Sequence, residues 1–349
     1  MLYKLLYIED QPADSIKDDL SRQGFLVDVD NADDFQSAIS KIGASNFDAY
    51  LMDFRLTANK GIVDAPTYAS TIRTFGRNHK NKPIVLISNE RNLSEFENDF
   101  TSQDLFDFVV SKEDFRGNLN KYCNRIKSII EGYQEIEKDN YDIIKILNLD
   151  DENILDYRLQ DKLEVFSKRR DVYGYCRLIY YSIIRSSGML IGEDILAARL
   201  GIDKSCSDFS SFLDKISECK YSGILSSSYN RWWFYKVLKF WEKISDGKSL
   251  RRLKAVDRVQ IINSALGLNL TSASPLELST STTFWTICSK TLKPLDPSEG
   301  YVYNHKQLEV WQEQEYISLF AGLEYPELLE YLSPTDKREI IEYGNNAKA

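Results

Sequence analysis

Five polar residues stand where apolar runs end in the first third of the chain. They are Glu9, Asp10, Asp53, Ser88 and Lys112. Three carboxylates that meet at one point repel one another unless a cation joins them, and a cluster of oxygen ligands suits Mg²⁺. A metal ion and a lysine can neutralise an aspartyl phosphate, while a hydroxyl donates a hydrogen bond to it. These residue types therefore indicate magnesium-assisted phosphorylation of an aspartate.

The apolar runs before these residues have the length and composition of β-strands. They are short, rich in β-branched or aromatic residues, and separated by stretches with helical periodicity. Alternating strands and helices predict a parallel sheet covered on both faces, in which active sites form at the carboxyl ends of the central strands. We therefore expect the five polar residues to meet at one edge of the sheet. The predicted strands are residues 3–8, 25–29, 48–53, 83–88 and 106–110.

This pattern resembles the receiver domain of two-component response regulators over residues 1–130. Glu9 and Asp10 match the acidic pair of the family. The acceptor segment D-x-x-[LM]-P-x-x-x-G is matched by Asp53, Leu56 and Gly61, with Thr57 where proline is usual. The resemblance implies an α/β fold, a flavodoxin-like, doubly wound, five-stranded parallel sheet of order 2-1-3-4-5, with Asp53 as the phosphoacceptor.

The resemblance also assigns roles to the other residues. Ser88 and Lys112 hold the hydroxyl and lysine positions that contact the phosphate in this family. The implied Mg²⁺ ligands are Glu9, Asp10, Asp53 and the backbone carbonyl of Arg55. Arg55 and Glu90 flank the path of the attacking water in this family, and we expect an ion pair between them to slow loss of the phosphate.

The sequence departs from the family in three places. Glu113 follows the lysine where proline is usual, so the peptide bond there need not be cis. The aromatic switch position, three residues before the lysine, holds Val109, with Phe108 one step away; either the register slips or the switch is missing. Residues 57–82 are longer than the family norm, and TANKGIVDAP within them is predicted to form a flap.

Apolar residues continue at steps of three and four from Phe115 to Leu147, with Asn140 as the polar member. This spacing predicts one long linker helix over residues 115–150, overlapping the last receiver helix. Its apolar seam would either form a homodimer or pack against the chain's own second half, and the second interpretation is favoured. We therefore predict a receiver domain (1–130), this linker helix, and a mostly helical output domain (151–349).

The second half contains no recognisable catalytic motif, so we expect no enzyme beyond magnesium-dependent self-phosphorylation and autodephosphorylation. GEDILAARLGI (192–202) resembles the first helix and turn of a helix-turn-helix, although an ordinary glycine cap explains it equally well. Residues 215–258 hold eleven basic and four acidic residues, interleaved with aromatic ones. Such a patch can bind nucleic acid, whereas a helix with inward aromatic residues is the favoured interpretation.

The composition is that of a soluble cytoplasmic protein. No apolar run is long enough to span a membrane, the five cysteines are scattered, and the net charge of −9 argues against a surface coated by nucleic acid. The expected function is a response regulator phosphorylated by a partner histidine kinase or phosphotransfer protein, acting through protein contacts. The alternatives are a DNA-binding transcriptional regulator, and a phosphate sink or intermediate in a phosphorelay, loosely similar to those of anti-phage defence.

Overall fold

The computed structural model describes residues 2–44, 46–56, 63–74, 81–89, 91, 93 and 103–348. The chain forms two compact units. The first contains residues 1–180 together with the short segment Ser222–Tyr229, and the second contains residues 181–221 and 230–349. Residues 151–180 therefore pack within the first unit, beside the sheet-containing region.

Five parallel strands form the sheet of the first unit, in the order β2-β1-β3-β4-β5. Their bounds are β1 Tyr3–Ile8, β2 Phe25–Asp30, β3 Ala49–Met52, β4 Ile84–Ser88 and β5 Phe108–Ser111. The central strands β3 and β4 are buried along their whole length, as expected for parallel strands covered on both faces. The predicted flavodoxin-like sheet and its strand order are confirmed.

Helices cover both faces of this sheet. One apolar core joins side chains of the sheet, such as Met52 and Leu86, to Ile42 and Ile72 on two of the helices. Among its described residues, the α-helices of this unit are α1 Asp14–Arg22, α2 Phe35–Ala44, α3 Ala65–Thr74, α4 Lys112–Gly117, α5 Leu119–Lys138, α6 Ile143–Leu147, α7 Tyr157–Arg169 and α8 Val172–Ile179. Short 3₁₀ turns cover Gln103–Leu105 and Glu152–Ile154.

The prediction of one continuous helix over residues 115–150 is wrong, because the seam is divided among α4, α5 and α6. Helix α5 ends at Lys138, and the backbone then turns at Asn140 and Tyr141, whose φ angles are 52° and 62°. The Asp142 side chain accepts a hydrogen bond from the amide of Ile144 and so begins a new helix. Periodic apolar spacing continues across the break, which is why the sequence does not reveal it.

The apolar side chains of α5 are covered by the chain itself. Ile126, Ile129 and Ile136 are buried, and Gly132 faces Ile224 and Leu225 of the segment Ser222–Tyr229. The apolar seam therefore packs against the chain's own second half, as the favoured interpretation of the sequence predicts. Nothing in the described structure supports a homodimer through residues 115–147, since the residues that would form it are already packed.

The second unit combines helices with three two-stranded antiparallel sheets, so residues 151–349 are about half helical rather than mostly helical. Its elements are β6 Leu190–Ile191, α9 Glu193–Leu200, α10 Phe209–Lys215, β7 Trp232–Trp233, α11 Phe234–Ile244, α12 Ala255–Leu266, β8 Thr286–Ile287, β9 Pro294–Leu295, β10 Gly300–Val302, β11 Tyr316–Ser318, α13 Leu319–Glu324 and α14 Pro334–Lys348. A π-helical turn covers Tyr180–Ile184, and 3₁₀ turns cover Ser217–Cys219, Leu250–Arg252, Pro297–Glu299 and Pro326–Tyr331. Within the described parts of the chain, no helix has the length and apolar character needed to cross a membrane.

Candidate phosphorylation site

The register of the parallel sheet brings the predicted site residues together. Ile8 of β1 pairs with Met52 of β3, so the acidic residues that follow these two strands begin at the same level. Ser88 of β4 pairs with Ser111 of β5, directly before Lys112. The carboxyl ends of the four strands therefore present Glu9, Asp10, Asp53, Ser88 and Lys112 at one edge of the sheet, as the sequence predicts.

Both carboxylate oxygens of Asp53 are held in place. Oδ2 accepts a hydrogen bond from Lys112 Nζ at 2.7 Å. Oδ1 accepts one from the backbone amide of Phe54 at 2.7 Å and another from the hydroxyl of Ser88. The aspartate that is predicted to carry phosphate is thus already in contact with the lysine and the hydroxyl that the chemistry needs.

Glu9 meets the same lysine. Its Oε2 accepts hydrogen bonds from Lys112 Nζ and from the hydroxyl of Tyr7, both at 2.6 Å, and its Oε1 accepts one from the amide of Gln11 at 3.2 Å. Tyr7 is a contact that sequence reasoning missed. The available signal was its place two residues before Glu9 in a strand, because side chains two residues apart lie on the same face.

Burial and charge shift the pKa values of these groups. Burial raises the pKa of Glu9, although its hydrogen bonds from Lys112 and Tyr7 act in the opposite direction. Burial lowers the pKa of Lys112, but its hydrogen bonds to Asp53 and Glu9 outweigh this, and the pKa is raised overall. Lys112 therefore stays charged at neutral pH. The pKa of Tyr7 is also raised, first by burial and then by the neighbouring Glu9.

Glu9, Asp10 and Asp53 fit a divalent cation. All three are buried, and each offers a carboxylate oxygen within 4.8 Å of those of the other two. In the contacts above, Lys112 bonds to two of these three carboxylates, Glu9 and Asp53. Mg²⁺ prefers such oxygen ligands and is usually held by a few carboxylates and waters. The donor set therefore suits magnesium.

The sheet has the strand order of the flavodoxin-like fold, and the five side chains meet at its carboxyl edge. Residues 1–130 therefore have the fold of response-regulator receiver domains. The receiver fold places its site where doubly wound parallel sheets bind ligands, outside the carboxyl ends of the strands.

Solved receiver domains are similar to this region. A CheY-like receiver domain from Methylobacillus flagellatus is 21% identical, with 37% of this chain and 99% of that chain covered and a TM-score of 0.30. The receiver domain of a sensor histidine kinase from Pseudomonas aeruginosa PAO1, with a magnesium ion coordinated in the active site cleft, is 22% identical (36% and 97% covered, TM-score 0.30). A response regulator from Thermotoga maritima in complex with Mg²⁺-BeF is 20% identical (37% and 99% covered, TM-score 0.30). No protein-family model and no curated protein matches the chain.

The predicted ion pair between Arg55 and Glu90 is not tested by the described structure. The Arg55 side chain is exposed, and its guanidinium Nη1 donates to Asp64 Oδ2 at 2.5 Å. Glu90 lies outside the described residues, as do Thr57 and Gly61 of the acceptor segment and most of the proposed flap. The Arg55–Glu90 pair and the carbonyl of Arg55 as a metal ligand stay predictions.

The register of β5 answers the question about the aromatic switch. Val109 pairs with Leu86 and packs in the core that includes α2 and α3, whereas Phe108 stacks with Tyr122 on α5. The register does not slip, and the position predicted for the switch holds valine. Described peptide bonds are all trans, including the one after Lys112. Because no proline follows the lysine, helix α4 begins directly at Lys112, capped by Ser111.

The resemblance of residues 192–202 to a helix-turn-helix is explained by an ordinary cap. Helix α9 ends at Gly201, whose φ is 73° and whose position leaves no room for a side chain, because a Cβ there would lie 2.6 Å from Ala255 Cα. The next helix, α10, begins at Phe209. The connection is longer than the roughly three- to four-residue turn of the motif.

The tryptophans of the basic stretch 215–258 are buried in the second unit. Trp232, Trp233 and Trp241 are buried, while the Lys239 and Lys243 side chains on α11 are exposed. Bases stack on aromatic rings that are open to solvent. The tryptophans therefore do not provide a nucleic-acid surface, and the inward-facing interpretation is confirmed.

Proposed function

We propose that Asp53 accepts a phosphoryl group from a histidine kinase or phosphotransfer protein, and that the chain is a magnesium-dependent response regulator or phosphorelay component. The observation that carries this proposal is the shared geometry of Asp53, Lys112 and Ser88. One oxygen of Asp53 bonds to the lysine and the other to the hydroxyl, beside two further buried carboxylates. No further catalysis is proposed.

The reaction is a transfer between two nucleophiles. A carboxylate oxygen of Asp53 attacks the phosphorus of a phosphohistidine, forming an acyl phosphate as the P–N bond breaks, and the released imidazole nitrogen takes up a proton. Lys112 offsets the negative charge on the transferred group, and Ser88 donates a hydrogen bond to it. Glu9, Asp10 and Asp53 would hold Mg²⁺, which neutralises phosphoryl oxygens when bound.

The added charge would then act on the surroundings of Lys112. This lysine bonds to Glu9 and Asp53 together, and a phosphoryl group on Asp53 would compete for it. Phosphorylation switches proteins by such local changes in pairing, which bias an element with two arrangements. We propose that the output is a changed contact with a protein partner.

The test is phosphorylation of the full chain by acetyl phosphate in the presence of Mg²⁺. Intact-mass spectrometry should show the mass of one added phosphoryl group, which is absent after chelation of the metal and absent in Asp53→Asn. Asp28→Asn is the matched control, because Asp28 lies within strand β2 and pairs with Lys4 near the start of β1. Failure of the wild-type chain to gain phosphate, or an equal gain in Asp53→Asn, contradicts the proposal. Light scattering on the same samples reports any change in oligomeric state.

A further inference from the structure

Among the contacts described for this site, the hydrogen bond of Tyr7 is not explained by the proposed chemistry. It lies on β1 and is fully buried, and its hydroxyl donates to Glu9 Oε2 at 2.6 Å. The same oxygen accepts from Lys112 at 2.6 Å. Tyr7 and Glu9 share one face of the strand because they are two residues apart. A tyrosine is therefore hydrogen-bonded to one of the three clustered carboxylates.

A buried hydroxyl is costly without a hydrogen-bond partner, and Glu9 provides the partner here. If the Glu9 carboxylate rotated away, Tyr7 would lose this acceptor. The amide of Gln11 holds the other Glu9 oxygen at 3.2 Å. The carboxylate is therefore fixed at both ends by donors that are independent of Lys112.

This matters because a glutamate side chain has one more rotatable bond than an aspartate and is less well oriented by its backbone. A cation at this site would also draw Glu9 away from its bond to Lys112. Tyr7 donates to the same Glu9 oxygen as Lys112, and its hydrogen bond does not depend on the lysine. Groups that bond to metal ligands in this way orient them, and their loss typically weakens metal binding.

We propose that Tyr7 is a positioning residue that holds the Glu9 carboxylate in the orientation required for Mg²⁺. The inference rests on the proposed function because it concerns the same metal site. It adds a residue outside the ligand set that sets the affinity for the metal. Tyr7 does not contact the phosphoacceptor in the hydrogen bonds described above, so its effect should be on metal affinity and not on the transfer step.

The first experiment measures Mn²⁺ binding to the full, unphosphorylated chain by electron paramagnetic resonance of free Mn²⁺. Tyr7→Phe should raise the Kd about tenfold. Tyr175→Phe is the matched control, because it removes another buried hydroxyl, which donates to the backbone carbonyl of Tyr141 at 3.0 Å. Its Kd should equal that of the wild type. An unchanged Kd in Tyr7→Phe, or an equal rise in both variants, overturns the inference.

A second measurement separates positioning from general loss of structure. In phosphorylation by acetyl phosphate, Tyr7→Phe should raise the half-saturating Mg²⁺ concentration about tenfold, while the rate at saturating Mg²⁺ stays within about twofold. In a Glu9→Gln background, Tyr7→Phe should weaken Mn²⁺ binding far less than it does in the wild type, since the effect acts through the Glu9 carboxylate. A lower rate at saturation with unchanged half-saturation, or an undiminished effect in that background, contradicts the inference.

The two proposals fail differently. A wild-type chain that binds Mn²⁺, with affinity lowered by Tyr7→Phe, but that gains no phosphate would overturn the proposed function and support the role of Tyr7 in metal binding. A chain that gains phosphate, with the same metal affinity in both forms, would overturn the role of Tyr7 alone. A wild-type chain that binds no Mn²⁺ overturns both.

Discussion

The first unit buries charged side chains at both ends of its sheet, and the two clusters differ in how many acidic and basic groups they contain. At the carboxyl edge, Glu9, Asp10 and Asp53 face one lysine, a group that we call the acidic site. At the opposite edge, Arg73 of α3 faces Asp107, which precedes β5, in a group that we call the basal cluster. Both are shielded from solvent. The acidic site gathers three carboxylates, whereas the basal cluster pairs one carboxylate with one guanidinium.

The hydrogen bonds of the basal cluster account for its charges. The Arg73 guanidinium donates to Asp107 Oδ2 at 3.0 Å and to the carbonyls of Leu105 and Lys82. Asp107 accepts from the hydroxyl of Tyr133 on α5 at 2.5 Å and from the amide that begins β4 at 2.8 Å. The ring of Tyr173 on α8 lies 3.6 Å from the Arg73 guanidinium carbon, a close cation–π contact.

The comparison shows that burial of charge alone does not mark a functional site. A buried pair in which each charge has its partners fastens elements together, here α3, β4, β5, α5 and α8. Carboxylates buried close together repel one another unless a cation lies among them. The convergence of three carboxylates, more than their burial, distinguishes the acidic site and is an arrangement that suits a cation.

The largest expected effect comes from breaking the basal pair. Arg73→Met should lower the free energy of unfolding by about 3–5 kcal/mol, because it leaves Asp107 buried without its counter-charge. Urea denaturation measures this. The control is Arg22→Met, since Arg22 is exposed and pairs with Asp19 on the surface, where the loss should be below about 1 kcal/mol. Similar losses in the two variants would mean that the basal pair is not a structural fastening.

The next effect concerns cation binding by the three carboxylates of the acidic site. Mg²⁺ at about 100 times its Kd should raise the free energy of unfolding by about 2.7 kcal/mol, because it binds the folded chain. Asp10→Asn should lose most of this increment at the same Mg²⁺ concentration, while Arg73→Met should keep it. The measurement is urea denaturation with MgCl₂ and with NaCl at equal ionic strength. Equal stabilisation by both salts would contradict the interpretation of the three carboxylates as a metal site.

A smaller effect, which depends on pH, tests the role of Tyr133 in the basal cluster. Tyr133→Phe should lower the free energy of unfolding by about 1.5 kcal/mol at neutral pH, through loss of a hydrogen bond to a carboxylate. The pKa of Tyr133 is raised well above its ordinary value, first by burial and then by the charge of Asp107. Its contribution is therefore complete below pH 10 and is lost as pH rises further, because only the unfolded chain ionises there.

The measurement for Tyr133 is a series of urea denaturations between pH 7 and pH 11. Above pH 10 the wild-type curve should fall more steeply than that of Tyr133→Phe, by about 1.4 kcal/mol per pH unit. Tyr157→Phe serves as the control because that side chain is 67% exposed, and its curve should follow the wild type. Parallel curves for Tyr133→Phe and the wild type would show that Asp107 does not hold this hydroxyl.

The acidic site could be predicted from the sequence because each of its residues lies at the carboxyl end of a strand or within two residues after it. Strand ends in a parallel sheet converge whatever the details of packing, so Asp53, Ser88 and Lys112 could be placed together without knowing the distances. Glu9 has the same property. Tyr7 was missed because a tyrosine inside a strand is an ordinary core residue, and only the contact at 2.6 Å separates it from others.

The pairing in the basal cluster and the break in the linker helix could not be predicted from the sequence in this way. Arg73 on a helix and Asp107 in a loop have the sequence character of surface charges, and their pairing depends on long-range packing. The break between α5 and α6 was hidden because apolar spacing continues on both sides of Asn140. Helices α7 and α8 join the first unit through contacts that local periodicity does not encode, such as the ring of Tyr173 on Arg73.

The segment Ser222–Tyr229 has a practical consequence for dissecting the protein. It belongs to the first unit although the chain on either side of it belongs to the second, so the polypeptide passes between the units three times. Ser227 bonds to Ser128 of α5 at 2.9 Å, and Arg125 of the same helix contacts the Tyr229 ring. A protein truncated after residue 150 or 180 would therefore lack this segment, and apolar side chains of α5 would be exposed to solvent. Truncated versions of the first unit should therefore keep Ser222–Tyr229, either through an internal deletion of the residues before it or by joining this segment to residue 180 with a linker.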